Sequence, residues 1–302
     1  MHIPDHMVQG PICPVTAVVA VAGIGTAAFF AVKAKNKPSA LKFGAVAALI
    51  FAAQMMNFPV QNGTSGHLLG AVLACALLGT PFGIIAMSLV LGIQTLVFSD
   101  GGLAVMGTNI LNMALVGGSM GAIFNKIVGD KTEKMSLKNY SILGGLAWVS
   151  VIMASLACSL ELALSGTVAF AKAAPAMMGV HALIGIGEAM VTLVVYYLFS
   201  LEPVKTSEKL SFGVPIVVAG IIGLLLSPFA SGFPDGLEWV AEKYQFLHES
   251  APAFVSPLPD YAIPAVANQT ISTGLAGLTG VILTFIIGAF VGKMLSFKAQ
   301  EQ

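Results

Sequence analysis

The sequence predicts an all-α polytopic membrane protein. Of its 302 residues, 57% are hydrophobic and only 9% are charged, whereas soluble domains carry about 25% charged residues. The mean hydropathy is +0.90, and several apolar runs exceed the roughly 18 residues that mark a candidate transmembrane helix. The alternative is a soluble enzyme with a large core, and the shortage of charged residues argues against it.

Hydropathy divides the chain into nine candidate spans. They lie near residues 14–32, 42–58, 67–80, 82–98, 104–127, 139–164, 175–200, 212–230 and 271–295. Gly79, Thr80 and Pro81 separate the third span from the fourth. Because proline ends or kinks a helix, these two short segments form either a re-entrant pair or two tilted helices.

A change in composition near residues 202–211 predicts a linker between two units. We expect a membrane domain over residues 1–205 and a two-span unit over residues 206–302. The outer loop of the second unit, residues 231–270, is rich in acidic residues and proline.

The placement of lysine predicts the orientation of the chain. With nine spans, the connections after spans one, five and seven and the C-terminal tail all fall on one side. These segments carry Lys33, Lys35, Lys37, Lys42, Lys126, Lys131, Lys134, Lys138, Lys205, Lys209, Lys293 and Lys298. Only Lys172 and Lys243 fall on the other side. The positive-inside rule then puts the N-terminus outside and the C-terminus inside. The lysine-bearing segments fall on one side only if the third and fourth spans are two separate crossings.

Charge and motifs exclude several classes of function. The net charge is zero and every basic residue is lysine, so nothing indicates a nucleic-acid partner. No glycine-rich phosphate loop ending in Lys-Ser or Lys-Thr is present, so the chain does not hydrolyse ATP by that route. Cys13, Cys75 and Cys158 are scattered and lack the spacing of metal ligands.

Met1 and His2 form a candidate chelate. The α-amine of Met1, the amide nitrogen of His2 and its imidazole can hold one metal in two fused rings, and such nitrogen ligands suit Ni(II), Cu(II) or Co(II). Chance alone also explains a histidine at the second position. Pro4, Pro11 and Pro14 favour extended backbone around them. Ten extended residues reach ~30 Å, enough for the outer N-terminus to fold back into a helical bundle.

His67 is the candidate fourth ligand. It follows Gly63 and Gly66 at the outer start of the third span, where the glycines permit tight turns. A lone histidine at a membrane interface is more often an ordinary polar residue. Its expected position on the same face as Met1 and His2 favours a metal site.

Six segments together resemble the CbiM/NikM family, the substrate-binding S components of energy-coupling-factor transporters for cobalt and nickel. They are residues 1–5, 57–60, 63–70, 100–103, 107–113 and 181–188. The resemblance implies a seven-helix bundle whose N-terminal segment enters a central cavity. It implies metal binding by the Met1 amine, the His2 amide and imidazole, and His67. The chain departs from the family at His6, which is either a transient ligand on the access path or, as we favour, a solvated residue.

The C-terminal unit resembles the small two-span NikN-like accessory protein of the same transporters, here fused to the S component. Residues 227–230 and 234–238 carry this resemblance. Fusion implies a fixed stoichiometry of the two units.

Other buried polar residues are candidates for orienting the metal ligands. They are Ser65, Asn109, Asn112, His181 and Glu188. Asn109 and Asn112 share one helix face, as do His181 and Glu188. The alternative is a network of interhelical hydrogen bonds, each worth ~0.6 kcal/mol on average. We favour support of the site for the two asparagines and the structural network for His181 and Glu188.

These observations predict a transporter subunit that imports Ni(II) and has no catalytic residue and no cofactor. Supply of Co(II) to cobalamin synthesis is the alternative. The resemblance implies a transmembrane coupling subunit and cytoplasmic ATPase subunits as partners, in the lipid of the inner (plasma) membrane. A membrane enzyme that uses Glu161, His181 and Glu188 is a remoter alternative. A non-transporting metal sensor is another, although it predicts an output domain for which we expect no room after Lys293.

Overall fold

The computed structural model describes residues 1–129, 135–200, 213–247 and 254–296. Within these ranges the chain is predominantly helical, as the sequence predicts. The helices are α1 Ile12–Lys33, α2 Ala40–Gln54, α3 Ala71–Leu78, α4 Thr80–Phe98, α5 Met106–Val128, α6 Leu137–Leu164, α7 Phe170–Ser200, α8 Gly213–Phe229, α9 Gly236–Lys243 and α10 Gln269–Ser296. A short antiparallel hairpin between α2 and α3 pairs β1 Phe58–Pro59 with β2 Ser65–Gly66.

Helix length separates the candidate membrane spans from the internal helices. In the ranges that the structure describes, six helices are long and apolar enough to cross a membrane: α1, α4, α5, α6, α7 and α10. The helices α2 and α8 are apolar but shorter. These findings support a multi-pass membrane protein. The nine-span count and the orientation of the termini stay predictions.

The predicted span 67–80 differs from the structure. Only Ala71–Leu78 is helical there, and eight residues rise about 12 Å at 1.5 Å each, much less than the ~30 Å hydrocarbon core of a bilayer. The helix begins after Gly70 and ends before Gly79, whose φ angles of 81° and 88° lie in the region that glycine tolerates. Residues 67–70 are therefore loop, and His67 stands outside the helix.

The core is built around α2 and α3. Residues 43–52 of α2 are all buried, and α3 is covered by α2, α4, α5, α6 and α7. The helix α10 lies against α2, where Gly44 permits a close approach: a Cβ at this position would stand 2.8 Å from the backbone nitrogen of Ala289. Large apolar side chains such as Val18 and Phe30 remain exposed on the outer helices, which is the surface that lipid would cover.

The two ends of the bundle differ in what they bring together. At one end, Lys37 Nζ donates to the Leu295 carbonyl at 2.8 Å, so the α1–α2 connection lies beside the end of α10. At the other end lie residues 1–10, the hairpin and α9. The predicted boundary at residues 205–206 lies outside the described residues, as do Lys131, Lys134, Lys205, Lys209, Lys298 and residues 248–253 of the outer loop.

Candidate metal centre

The N-terminal segment is folded into the end of the bundle. Met1, His2 and Ile3 are 6%, 9% and 0% exposed. Asn109 holds both backbone groups of Ile3: its Oδ1 accepts from Ile3 N at 2.8 Å and its Nδ2 donates to Ile3 O at 3.1 Å. Gly102 N also donates to Ile3 O, at 2.9 Å. Three hydrogen bonds thus hold the backbone of Ile3, and Met1 lies at a defined place inside the protein.

His67 lies next to the N-terminal amine. It follows β2 directly, and its Nδ1 donates to the Leu68 carbonyl at 2.9 Å. This contact places the ring hydrogen on Nδ1, so the lone pair of Nε2 is available. Met1 N donates to that Nε2 at 2.5 Å, across 66 residues of sequence. The rings of His2 and His67 are stacked, with centroids 4.9 Å apart and planes inclined by 20°.

The His2 ring lies between two oxygen atoms. Its Nε2 is 3.2 Å from Gln94 Oε1, and its Nδ1 is 3.0 Å from Asp100 Oδ1. Burial, reinforced by the charge of the adjacent amine, lowers the pKa of His2 to about 3. A neutral imidazole carries one ring hydrogen and serves one of these contacts. With that hydrogen on Nε2 and bonded to Gln94, the Nδ1 lone pair is free for the chelate that the sequence predicts.

Glu188 and His181 both face the His67 loop from α7. Glu188 accepts from Leu69 N at 2.6 Å through Oε2 and from Gly70 N at 2.9 Å through Oε1. These bonds fix the loop that carries His67. His181 Nδ1 donates to the carbonyl one turn earlier at 2.8 Å, and its Nε2 has no partner among the described residues. His181 belongs to the wall of a small cavity that Met1 and His67 also line.

The two asparagines of α5 have different partners, although the sequence predicts a shared face. Asn109 binds the N-terminal segment, whereas Asn112 Nδ2 donates to Glu161 Oε2 on α6 at 2.6 Å. The stretch Ile110–Val116 is a π-helical turn, which widens the helix and changes the relation between positions three apart. Asn112 therefore links α5 to α6, and among the described residues no hydrogen bond joins its side chain to the N-terminal segment.

Ser65 and His6 lie outside the cluster of nitrogen atoms. Ser65 Oγ donates to the Phe233 carbonyl at 2.8 Å, so its side chain binds the C-terminal unit. His6 is exposed, with a φ of 70°, in the wall of a separate cavity of about 270 Å³. In the described part of the chain, no hydrogen bond or ion pair joins the His6 side chain to Met1, His2 or His67.

Two carboxylates lie beside the Met1 amine and His2, and no specific signal in the sequence indicates their roles. Asp235 Oδ2 is 2.9 Å from the Met1 amine. Burial, the largest single influence, would raise the pKa of Asp235, but the positive amine, His67 and the hydrogen bonds to the carboxylate together outweigh it and hold the pKa below its usual range. Asp100 faces His2 and accepts from Tyr261 Oη at 2.5 Å. Asp100 and Asp235 lie in segments that carry the family resemblances, residues 100–103 and 234–238, and neither position indicates a contact with the N-terminal segment.

A cavity of about 340 Å³ adjoins the two histidines. Four carboxylates line it: Asp100, Asp235, Glu238 and Asp260. Such a wall attracts cations. Within the described ranges, however, no three His, Cys, Asp or Glu side chains are grouped to hold a metal ion. The Met1 amine, in contact with His67 Nε2, is a further nitrogen donor beside these side chains.

The acid–base trio of the enzyme alternative does not converge. Glu161 is bonded to Asn112, Glu188 to two backbone amides, and His181 to a carbonyl of its own helix. No group of three such side chains forms in the described residues.

Two sequence profiles match the chain. The family described as the cobalt uptake substrate-specific transmembrane region matches residues 2–208, which is more than half of the chain. The PDGLE domain matches residues 210–297. The second profile includes Asp235, and the first includes both histidines of the cluster.

Relatives of similar length carry transport names. The chain is 31% identical over 297 residues to an Archaeoglobus fulgidus protein with the provisional name fused nickel transport protein NikMN, covering 95% of this chain and 97% of that one. It is 29% identical over 340 residues to the fused nickel transport protein NikMN of Rhodobacter capsulatus, covering 94% of each. These names are consistent with a transporter and not with an enzyme.

A solved structure has the same fold over most of the chain. The crystal structure of a truncated transition metal transporter superposes with a TM-score of 0.58 at 30% identity, covering 67% of this chain and 100% of that one. The profile match, the full-length relatives and this fold agree with the predicted resemblance. The chain therefore belongs to the CbiM family of cobalt and nickel transport membrane proteins, with a PDGLE domain fused to its C-terminal side.

Proposed function

We propose that this chain is the substrate-binding membrane subunit of an energy-coupling-factor transporter that imports Ni(II). One observation carries the proposal: the Met1 amine, buried by its own segment, contacts His67 Nε2 while the His2 ring stacks on His67. A coupling subunit and ATPase subunits, which the family resemblance implies, would supply the energy. The chain itself would bind the ion at the outer face.

The proposed ligands are four nitrogen atoms: the Met1 amine, the His2 amide and Nδ1, and His67 Nε2. Ni(II) accepts a planar arrangement of such ligands. Binding needs an unprotonated amine and amide and a free lone pair on each imidazole, so affinity should fall in acid. The contact of His67 with Leu68 supports the tautomer that leaves the Nε2 lone pair free. His2 must carry its ring hydrogen on Nε2, bonded to Gln94, and not on Nδ1, which faces Asp100.

Nickel is favoured over cobalt on two grounds. An all-nitrogen site binds Ni(II) more strongly than Co(II) in the usual order of divalent affinities. Both full-length relatives described above are named nickel transport proteins. The family description and a CbiM relative from Acetoanaerobium sticklandii, 30% identical over 164 residues, keep Co(II) as the second candidate.

Moving the amine tests the proposal. One residue added before Met1 displaces the amine by about 3.8 Å, one Cα step, and acetylation of Met1 removes its basicity. Either change should weaken Ni(II) binding to the purified full chain by more than the ~10–100-fold that supporting residues are worth. The same loss is expected for His67→Ala, together with loss of the absorbance of planar Ni(II).

His6→Asn is the matched control. It removes an exposed histidine of the same segment, and asparagine tolerates the positive φ found there. Ni(II) affinity should remain within twofold of the unmodified chain. Undiminished binding after acetylation, or after the His67 substitution, would show that the ion binds elsewhere. A parallel Co(II) titration decides the order of the two metals.

A further inference from the structure

The loop between α8 and α9, residues 230–235 of the PDGLE domain, reaches the proposed metal site. Its backbone is bonded to the hairpin: Ser65 N donates to Pro234 O at 2.8 Å, and Ser231 N donates to Asn57 O at 2.8 Å. Gly236 lies so close to α7 that a Cβ there would stand 2.8 Å from His181 Cε1. Asp235 is therefore held against the N-terminal unit from both sides.

The two carboxylate oxygens of Asp235 contact different partners. Oδ1 caps α9, accepting from Leu237 N at 2.8 Å and Glu238 N at 2.9 Å. Oδ2 is 2.9 Å from the Met1 amine, and the side chains of Asp235 and Met1 are 13% and 3% exposed. The cap fixes the orientation of the carboxylate, so Oδ2 points at the amine. A carboxylate that served only as a helix cap would not require a buried cationic partner.

We propose that Asp235 is a positioning residue of the metal site, which holds the Met1 amine beside His67 and neutralises the bound ion. The inference rests on the proposed function. A divalent ion bound to one deprotonated amide and three neutral nitrogens has a net charge of +1, which is costly to bury alone. The single negative charge of Asp235 offsets it. A metal-bound amine retains hydrogen atoms, so it still donates to Oδ2.

The consequence is that the metal site is composite. Four nitrogens come from residues 1–67, and the balancing charge comes from the PDGLE domain, more than 160 residues further along the chain. Ni(II) affinity should therefore depend on a residue that supplies no ligand atom.

Asp235→Asn in the full chain separates the charge from the cap. Asparagine is as good an N-cap as aspartate, so α9 should persist, and thermal unfolding of the metal-free protein checks this. Ni(II) affinity should fall at least about tenfold, the value of a hydrogen bond to a charged group. The planar Ni(II) absorbance at saturation should keep its wavelength, because the four nitrogens are unchanged. Asp235→Ser, which caps the helix but is too short to reach the amine, should weaken binding as well.

Asp260→Asn is the matched control. It removes a carboxylate from the same cavity wall, at a position of positive φ that asparagine tolerates, and its affinity should stay within twofold. Wild-type affinity in both Asp235 variants would overturn the inference while leaving the proposed function intact. A shifted absorbance would also overturn it, because Asp235 would then be a ligand. Failure of the proposed function is recognised separately, by Ni(II) binding that survives acetylation of Met1.

Discussion

Removal of the Asn109 side chain should release the N-terminal segment. In Asn109→Ala, Ile3 loses two hydrogen bonds, 2.8 and 3.1 Å long. Each is worth ~1 kcal/mol, and the buried Ile3 N–H left without a partner costs a further ~1 kcal/mol or more. Ile3 O keeps its bond from Gly102 N, which limits the damage. Docking of the segment should weaken by ~3 kcal/mol, about a hundredfold in the docked-to-undocked ratio.

The effect on metal binding follows from the docked fraction. Apparent affinity falls in proportion to the fraction of molecules that are competent to bind, so the Kd for Ni(II) should rise by up to about a hundredfold, the full factor where docked and undocked forms are nearly balanced in the unmodified chain. Isothermal titration on the purified chain measures this. Docking itself is measured by acylation of the amine of Met1, a residue that is buried when docked, and the amine should react faster in the variant.

Asn112→Ala provides the comparison three residues along α5. Asn112 binds Glu161 and not the segment, so its loss should lower thermal stability and leave Ni(II) affinity within twofold. Unchanged affinity together with unchanged acylation in Asn109→Ala would refute the argument, because the segment would then be held by its other contacts.

Two further substitutions test the supports of the site and of the core. Glu188→Gln should lower thermal stability and Ni(II) affinity by ~1.5–3 kcal/mol, because two backbone N–H groups need two acceptors and an amide offers one. Glu161→Gln should be nearly neutral, since Glu161 Oε1 has no partner within the described residues, and equal effects would contradict this account of Glu188. Gly44→Ala should cost ~1–3 kcal/mol by forcing α10 from α2, as measured by thermal unfolding. Gly92→Ala is its control, with nothing within 4 Å of the added methyl, and equal melting temperatures would argue against tight packing at Gly44.

The helical membrane fold could be predicted because lipid imposes it. A chain with 9% charged residues cannot cover a water-facing surface, and long apolar runs follow from the thickness of a bilayer. The length of α3 could not be predicted in the same way. Leu68 and Leu69 are as apolar as the helix that follows, so hydropathy includes them in a span, whereas the positive φ of Gly70 ends the loop after them. The conformation of one glycine decides the boundary.

The residues of the candidate site also fall into those that the sequence could indicate and those that it could not. The sequence could indicate Met1, His2 and His67 because their chemistry is recognisable and the lysine pattern predicts that they share one face. It could not indicate Asp235, because a carboxylate in an acidic loop is ordinary and its partner lies 234 positions away. It also could not separate Asn109 from Asn112, since the rule that joins them assumes a regular helix and the π-helical turn at Ile110–Val116 interrupts it.

The hydrogen bonds of Ser65 connect the N-terminal unit to the PDGLE domain. Its backbone N–H donates to Pro234 O and its hydroxyl donates to Phe233 O. Because Ser65 stands two residues before His67, these bonds connect β2 directly to the loop between α8 and α9. Asp235 lies in that loop and touches the amine that also touches His67. A displacement of α9 along α7 would therefore change the surroundings of the amine and of His67 together. Two sites are energetically coupled when a change at one alters the contacts of the other. Here Asp235 Oδ2 and His67 Nε2 both contact the nitrogen of the Met1 amine. Under the proposed function, binding of the ion and the position of α9 should therefore be energetically coupled.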